Sequence, residues 1–220
     1  MGKKSQKKSV GKKNDAKQIL QWLGWADSDY LAARGLLIRG FLLQGTILAN
    51  TAIEKYLKSA LVALQVDFGK THDVVSLYLS LRSAGKGPGL HEGFLRTLKK
   101  AYSLRYPDLL AKGFNISLAQ VKILAELDSS VHQLRKGFLL QDKNGKKIET
   151  RFDRMLAERN AALCDLNAAF GQIDRVIAFS DTTDCFELRV LDNGDIMQAE
   201  YKAGPLADDQ AFENEGLRPG

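Results

Sequence analysis

The stretch NTAIEKYLKSALVALQ, residues 50–65, decides the fold, because its apolar residues recur every three or four positions. That period is typical of a helix with one face buried in a core. The same stripe also contains an amide and a carboxylate, Asn50 and Glu54. A carboxylate among core positions is tolerable only if it is paired and hydrogen-bonded. The stretch therefore predicts either a polar network that fixes helix register or a ligand-contacting cluster.

The composition is that of an ordinary globular protein, with 45% hydrophobic and 26% charged residues in a chain of 220. No run approaches the roughly 18 apolar residues that a membrane span needs. The first residues lack the apolar segment of a signal peptide. The two cysteines, Cys164 and Cys185, lack metal-site spacing. We therefore expect a cytoplasmic protein without disulfides, and no membrane partner.

The net charge of +6 is concentrated at the amino terminus. Residues 1–17 contain seven Lys and one Asp, whereas residues 205–220 contain four acidic residues and one Arg. We expect a disordered basic arm over residues 1–15 and a disordered acidic tail over 205–220. The arm either contacts phosphate in a salt-sensitive, sequence-independent way or is simply a solvated tail.

Four other segments before residue 137 share the helical period, so the sequence predicts a five-helix bundle. The predicted ends follow from capping and breaking residues. They are a capping box at Asp15 for the first helix, the range 43–65 for the second, an N-cap at Thr71 for the third, a stop at Pro107 for the fourth, and a start at Ser117 for the fifth.

The pattern changes after residue 136. Asn144-Gly145 and Asn193-Gly194 each separate two stretches that could pair as a β-hairpin, and the second is the stronger candidate. Apolar residues between them predict one long helix over about 152–177. The predicted fold is mainly α: an antiparallel up-and-down bundle over 16–137, with an extension over 138–204 of one long helix and one or two β-hairpins packed on the bundle.

Common catalytic motifs do not occur. The run Gly69-Lys70-Thr71 is not a phosphate loop, because it follows a helix and lacks the first glycine. The histidines show no metal-ligand spacing, and no nucleophile elbow occurs. The sequence therefore predicts no metal site and no cofactor, and it shows no standard hydrolase.

Four stretches in order, WLGWADSDYLAARGLL, ANTAIEKYLKSALVA, KTHDVVSL and YSLRYPDLL, resemble the HEPN domain (higher eukaryotes and prokaryotes nucleotide-binding) over roughly residues 16–137. The matching positions are Trp22, Ala26, Asp29 and Ala33 on the first helix; Glu54, Lys55, Leu57 and Lys58 on the second; Thr71, His72 and Asp73 at the start of the third; and Arg105, Tyr106, Pro107 and Asp108 at the close of the fourth.

The resemblance implies a bundle that is commonly a dimer, from prokaryotic defence, toxin–antitoxin or nucleotidyltransferase-associated systems. Many members are metal-independent RNases that use an Arg followed four to six residues later by His. That pattern is missing here, and RNAALCD, residues 159–165, has Cys164 at the histidine position. The resemblance thus favours a module that binds a nucleotide, RNA or a nucleotidyltransferase-like partner over an enzyme. The alternatives are an endoribonuclease with a non-standard acid/base, and a scaffold protein.

The candidate site follows from the buried polar pair. We expect Asn50 and Glu54 to meet Arg105, Tyr106 or His72, with Arg105 as the donor to phosphate. Lys55 and Lys58 are expected to point outward, although Lys58 is also spaced for an i,i+4 pair with Glu54. If the protein cleaves RNA, Arg105 and His72 are the candidate catalytic residues, brought together across a dimer. The candidate ligand-binding residues are Asn50, Glu54, Lys55, Lys58, His72, Arg105, Tyr106 and Asp108.

Overall fold

The computed structural model describes residues 11–85, 87–142, 144–170 and 182–204. The helices are α1 (Gly11–Ile38), α2 (Leu42–Ala63), α3 (Val74–Ser83), α4 (Glu92–Ser103), α5 (Gln120–Lys136), α6 (Arg151–Ala157) and α7 (Ala161–Cys164). The strands are β1 (Asn115–Ala119), β2 (Thr183–Val190) and β3 (Ile196–Ala203). The protein is therefore mainly helical with a small antiparallel sheet, which confirms the predicted fold class.

Helix α2 is the centre of the bundle, because α1, α3, α4 and α5 all pack against it. Its long antiparallel partner is α1, and the two are joined by a tight turn. Gly40 has a φ of +84° there, a conformation that suits glycine. A side chain at Gly45 would lie within 2.6 Å of Leu37, so this glycine permits the close approach of the two helices.

The sheet has the order β1-β2-β3 and is antiparallel throughout. Ile116 and Leu118 of β1 lie opposite Leu188 and Phe186 of β2, and all four side chains are buried in the core. One face of β1 and β2 thus completes the hydrophobic core that the helices form. Strand β3 extends beyond this core, and most of its residues are exposed.

The predicted start of the fifth helix at Ser117 is wrong. Residues 115–119 form β1, with Ser117 exposed between two buried neighbours, and α5 begins at Gln120. The alternation of polar and apolar residues fits a strand. Its pairing partner lies about 70 residues further along the chain, so tertiary pairing overrides the apparent capping box. This pairing also connects the segment before residue 137 with the segment after it. The domain boundary that we predicted at residue 137 stays a prediction.

The predicted long helix after residue 150 is also wrong as far as the described residues extend. Two short helices, α6 and α7, take its place up to residue 164, followed by a 3₁₀ turn at Ala168–Phe170. Arg159 and Leu166 have φ values of +50° and +53°, which a continuous right-handed helix cannot include. The remainder of the predicted helix, residues 171–177, lies outside the described residues.

The hairpin at Asn193-Gly194 is confirmed, as β2 and β3 with a loop over residues 191–195. The one at Asn144-Gly145 is reduced to an isolated bridge between Gln141 and Lys147. No helix in the described part of the chain is long and apolar enough to cross a membrane. Most of the predicted arm and the whole predicted acidic tail, residues 1–10 and 205–220, lie outside the described ranges.

Three predicted helix ends are shifted. Helix α1 begins at Gly11, ahead of Asp15. Asp73 rather than Thr71 caps α3, because its carboxylate accepts a hydrogen bond from the backbone N–H of Val75. Helix α4 ends at Ser103, four residues before Pro107. The last shift matters most, because it places Arg105 beyond the end of α4, whereas a stop at Pro107 would have kept it on the helix.

Candidate functional site

The buried carboxylate of Glu54 has two basic partners. Its Oε1 lies 2.7 Å from Nζ of Lys58, one turn further along α2, and 3.0 Å from Nδ1 of His72, just before α3. The side chains of Glu54 and Lys58 are each only 7% exposed, whereas that of His72 is 65% exposed. The predicted contacts of Glu54 with Lys58 and His72 are confirmed, and they connect a buried ion pair to the surface through an imidazole.

The outward orientation that we predicted for Lys58 is wrong. Its ammonium group lies 5.6 Å from the ring centroid of Trp22 and 5.8 Å from that of Phe68. Aromatic faces attract a cation that has lost water. The carboxylate and the two rings together therefore compensate the burial of Lys58.

Asn50 lies one turn before Glu54 and is 1% exposed. Neither its amide nitrogen nor its amide oxygen has a hydrogen-bond partner among the described residues. The predicted contact of Asn50 with His72, Arg105 or Tyr106 is therefore wrong.

Arg105 does not reach Glu54, contrary to the prediction. Because α4 ends two residues earlier, the guanidinium group turns to the surface and lies over two rings, 4.5 Å from the centroid of Tyr102 and 5.4 Å from that of Tyr106. Arg105 and Tyr106 are exposed. In the part of the chain that the structure describes, the guanidinium makes no hydrogen bond or ion pair. We call Tyr102, Arg105 and Tyr106 the cation–aromatic platform.

Asp73 connects the two candidate regions. It follows His72 in the chain, and its carboxylate accepts a hydrogen bond from Lys99 of α4 at 2.7 Å. Burial opposes the charge on Asp73, but hydrogen bonds from Lys99 and Ser76 outweigh it and lower the pKa of this carboxyl below its usual value. Lys99 lies one turn before Tyr102, so a continuous polar strip runs from the imidazole of His72 to the platform.

The two remaining candidate residues, Lys55 and Asp108, lie outside this strip. Lys55 is half-buried and forms an ion pair with Asp29 of α1, so it links the two long helices. Asp108 is exposed in a 3₁₀ turn over Pro107–Leu109, close in sequence to the platform.

A larger buried network escaped the prediction from sequence. Arg34 of α1 is fully buried, and its Nε donates to Asp128 of α5 at 2.8 Å. Its other two nitrogens donate to the backbone oxygens of Ala162 and Asp165, at 2.9 and 2.7 Å. Tyr30 donates to the same carboxylate at 2.7 Å. Each of the three guanidinium nitrogens makes a hydrogen bond, so the role of this arginine is to hold the segment around α7 against the bundle.

A second buried network joins Asp27, Tyr56 and Arg135. Asp27 accepts a hydrogen bond from the hydroxyl of Tyr56, and its other oxygen lies 3.6 Å from Arg135. Burial raises the pKa of Asp27, with Arg135 and Tyr56 opposing the shift. The only sequence signal for either network was charge at positions that helical period assigns to the core.

Among the described residues, no group of three or more His, Cys, Asp or Glu is arranged to hold a metal ion. The polar strip instead offers two kinds of chemistry. One is an imidazole oriented by a buried carboxylate. The other is an exposed guanidinium stacked on tyrosine rings.

The family comparison agrees with the sequence motifs that line this strip. A model of the HEPN domain matches residues 19–135, which is more than half of the chain. The comparisons with curated proteins and with solved structures gave no match. The matched range covers most of α1, all of α2 to α4, nearly all of α5, and the whole strip from His72 to Tyr106. The chain therefore belongs to the HEPN domain family, a family of nucleotide-binding and RNase-like modules in general.

Proposed function

We propose that this protein is a nucleotide- or RNA-binding module in which Arg105 contacts phosphate and Tyr106 stacks on a base. The observation that carries the proposal is the exposed guanidinium of Arg105, held over two tyrosine rings without an internal acceptor. Stacking orders the guanidinium plane but leaves its in-plane N–H groups for an anion. Binding would therefore require little further ordering of this side chain.

The neighbouring groups suit the same ligand. Tyr106 is 54% exposed, and bases of any sequence can stack on a tyrosine face. Lys100 of α4 is also exposed and adds positive charge near the platform, whereas the charge of Lys99 is offset by its ion pair with Asp73. Electrostatic attraction of this kind makes binding sensitive to salt. The basic residues of the amino terminus could add a further sequence-independent contact.

The biological setting is a finer part of the proposal. The HEPN relationship supports a role in a prokaryotic defence or toxin–antitoxin type system, with a nucleotidyltransferase-like protein as the cognate partner. Co-purification of this chain with the product of an adjacent nucleotidyltransferase gene would support that setting. Absence of any complex when the two are co-expressed would argue against it.

The proposal is tested by fluorescence anisotropy with a labelled single-stranded RNA and with a labelled adenine nucleotide. We expect Arg105→Ala and Tyr106→Ala each to weaken binding by about tenfold. Arg105→Ala should also reduce the slope of log affinity against log salt by about 1. The matched control is Arg96→Ala, an exposed arginine on α4 that pairs with Glu92. Wild-type protein that binds neither ligand, or equal losses in all three variants, would contradict the proposal.

A second candidate function, metal-independent RNA cleavage, is favoured by the Glu54–His72 contact. The carboxylate accepts from Nδ1 of His72, which leaves Nε2 on the exposed edge of the ring. A carboxylate-oriented imidazole is a recurring general acid/base. If the protein cleaves RNA, His72→Ala should abolish cleavage and leave RNA affinity unchanged. Intact RNA after prolonged incubation with wild-type protein would exclude this candidate.

A further inference from the structure

Strand β3 is exposed on both faces. On the face that packs against the helices, its neighbours Phe186, Leu188 and Val190 on β2 are buried, but Ile196 and the polar residues that follow it on β3 are not. The opposite face carries Met197 and Tyr201, 58% and 45% exposed. The strand also has a free edge, because β2 is its single neighbour in the described sheet. An exposed strand edge of this kind is a template for another strand.

The hydrogen bonds around the hairpin show which backbone groups point to the free edge. Leu191 donates to Asp195 across the loop, whereas the backbone of Val190 bonds to Phe114 and Gly113 on the β1 side. Antiparallel partners alternate between hydrogen-bonded and non-hydrogen-bonded pairs. Val190 and Ile196 therefore form a non-hydrogen-bonded pair. It follows that the N–H and C=O groups pointing outward belong to Ile196, Gln198, Glu200 and Lys202.

We propose that the occupant of this edge is β3 of a second copy of the chain, paired antiparallel about a two-fold axis at Ala199. The two three-stranded sheets then form one continuous six-stranded sheet. The outward groups of the two strands would form about eight backbone hydrogen bonds. This interface is independent of the cation–aromatic platform and of the nucleotide-binding proposal.

The register follows from side-chain direction and charge. Residues directly opposite each other in a sheet share a face, so an even-numbered residue pairs with an even-numbered one. Two registers then keep seven residues of each strand paired, one centred on Ala199 and one centred on Glu200. The second places two glutamates opposite each other, which is unfavourable. The first therefore remains.

The register centred on Ala199 is complementary at its five central positions, residues 197–201. The two Ala199 residues meet as a non-hydrogen-bonded pair, where the strands approach most closely, about 4.5 Å between Cα atoms, and a small side chain fits. Gln198 lies opposite the partner's Glu200, and its amide can donate to that carboxylate. Met197 lies opposite the partner's Tyr201, so the largest exposed apolar side chains of the strand cover each other.

Two substitutions of Gln198 test the register, because they are expected to change the affinity of the dimer in opposite directions. Gln198→Lys creates two symmetric pairs with Glu200 and should tighten the dimer by about threefold to tenfold. Gln198→Glu creates two like-charge pairs and should weaken it by a similar factor. A register centred on Glu200 would place Gln198 opposite Lys202, so that Gln198→Lys would weaken the dimer and Gln198→Glu would tighten it. The measurement is sedimentation equilibrium of the full chain over a range of concentrations, and reversed signs or a lack of effect would overturn the assignment.

Ala199→Lys tests the axis itself. It places two ammonium groups together at the two-fold axis, whereas within one chain the new lysine lies opposite Glu187, an opposite charge. We expect a monomer with an unchanged melting temperature at low protein concentration. A variant that dimerises as wild type does would overturn the proposal, as would a wild-type chain that stays monomeric up to its solubility limit.

Residue-resolved amide exchange provides a readout that a dimer formed by another surface would not produce. In the dimer, the amides of Gln198, Glu200 and Lys202 should become more protected as protein concentration rises. The amides of Ala199 and Tyr201 already bond to β2 and should show little change at the same concentrations. Concentration-independent exchange at the three even-numbered amides in a dimeric sample would place the interface elsewhere.

Discussion

Arg34 and Asp128 form an ion pair that is almost fully buried, with 2.8 Å between Nε and Oδ1, although 94 residues separate them in the chain. The carboxylate also accepts the hydroxyl of Tyr30, so each charge has several hydrogen-bonding partners. A buried pair adds little stability relative to apolar residues, but loss of one member leaves an uncompensated charge. Replacing Asp128 alone should therefore destabilise the protein much more than replacing Arg34 and Asp128 together by apolar residues.

Asp128→Ala is expected to lower the free energy of unfolding by about 3 to 5 kcal/mol, because it leaves the cation of Arg34 buried without its carboxylate. Urea unfolding followed by circular dichroism measures the loss. The matched control is Asp184→Ala, which removes the partly exposed partner of the exposed Lys202 and should change stability by less than about 1 kcal/mol. Equal effects at the two positions would contradict our account of the buried pair.

Glu54→Gln is expected to destabilise the protein by about 3 kcal/mol, because Lys58 would remain buried without a charge partner. The double variant Glu54→Gln, Lys58→Met should recover most of that loss, since the thioether side chain suits the space between Trp22 and Phe68. Thermal unfolding of the four proteins in a double-mutant cycle gives the coupling energy. Strictly additive effects would show that the 2.7 Å contact contributes nothing.

Arg105→Ala should leave the free energy of unfolding unchanged within about 0.5 kcal/mol, because the side chain is exposed and forms no internal hydrogen bond among the described residues. This result separates a ligand-binding role from a structural one. The same urea titration measures it, with Arg96→Ala as the exposed control. A loss of more than about 2 kcal/mol would mean that the platform holds the end of α4 in place.

Asp73 should make the stability depend on acid pH. Its folded-state pKa is lowered, so its contribution is fully present above the unfolded-state pKa of about 3.9 and is lost as the pH falls through the folded-state value. Asp73→Asn retains a capping side chain but removes the charge paired with Lys99. We expect the variant to be less stable than wild type at pH 7 and the difference to shrink below about pH 4. A difference that is constant from pH 7 to pH 2 would rule out the linkage.

Leu166→Asn should stabilise the protein by about 0.5 to 1 kcal/mol. Leu166 has a φ of +53°, a conformation that costs a leucine about 1 kcal/mol and that asparagine tolerates. Its side chain is 53% exposed, so little packing is lost. The melting temperature measures the gain. Leu139→Asn, at another exposed leucine, controls for the change in polarity, and a similar shift there would discount the backbone explanation.

The bundle and its family were predictable because both rest on local signals. Helical period in the sequence identified the stripe of α2, and four sequence motifs in order identified the HEPN relationship. The partners of Glu54 were also partly predictable. Lys58 is one turn away on the same helix, and His72 lies just before the next helix, so both contacts involve residues that are near Glu54 in the chain.

The features that escaped prediction depend on distant parts of the chain or on one backbone angle. β1 is a strand because β2 lies beside it, and nothing within residues 115–119 reveals that partner. The direction of Arg105 was wrong because α4 ends at Ser103 instead of continuing to Pro107. The predicted long helix is interrupted where Arg159 and Leu166 adopt left-handed angles, and leucine has no intrinsic preference for them.

The hydrogen bonds that Arg34 makes to distant parts of the chain have a consequence for folding during synthesis on the ribosome. The guanidinium of α1 receives its carboxylate from a residue made 94 positions later and its two carbonyl acceptors 128 and 131 positions later. Until those residues leave the ribosomal exit tunnel, the α1–α2 hairpin carries the cation of Arg34 on a surface that is buried in the folded protein. The α1–α2 hairpin therefore cannot complete its own interior, and a chaperone or the ribosome surface is expected to shield it until residue 165 has emerged.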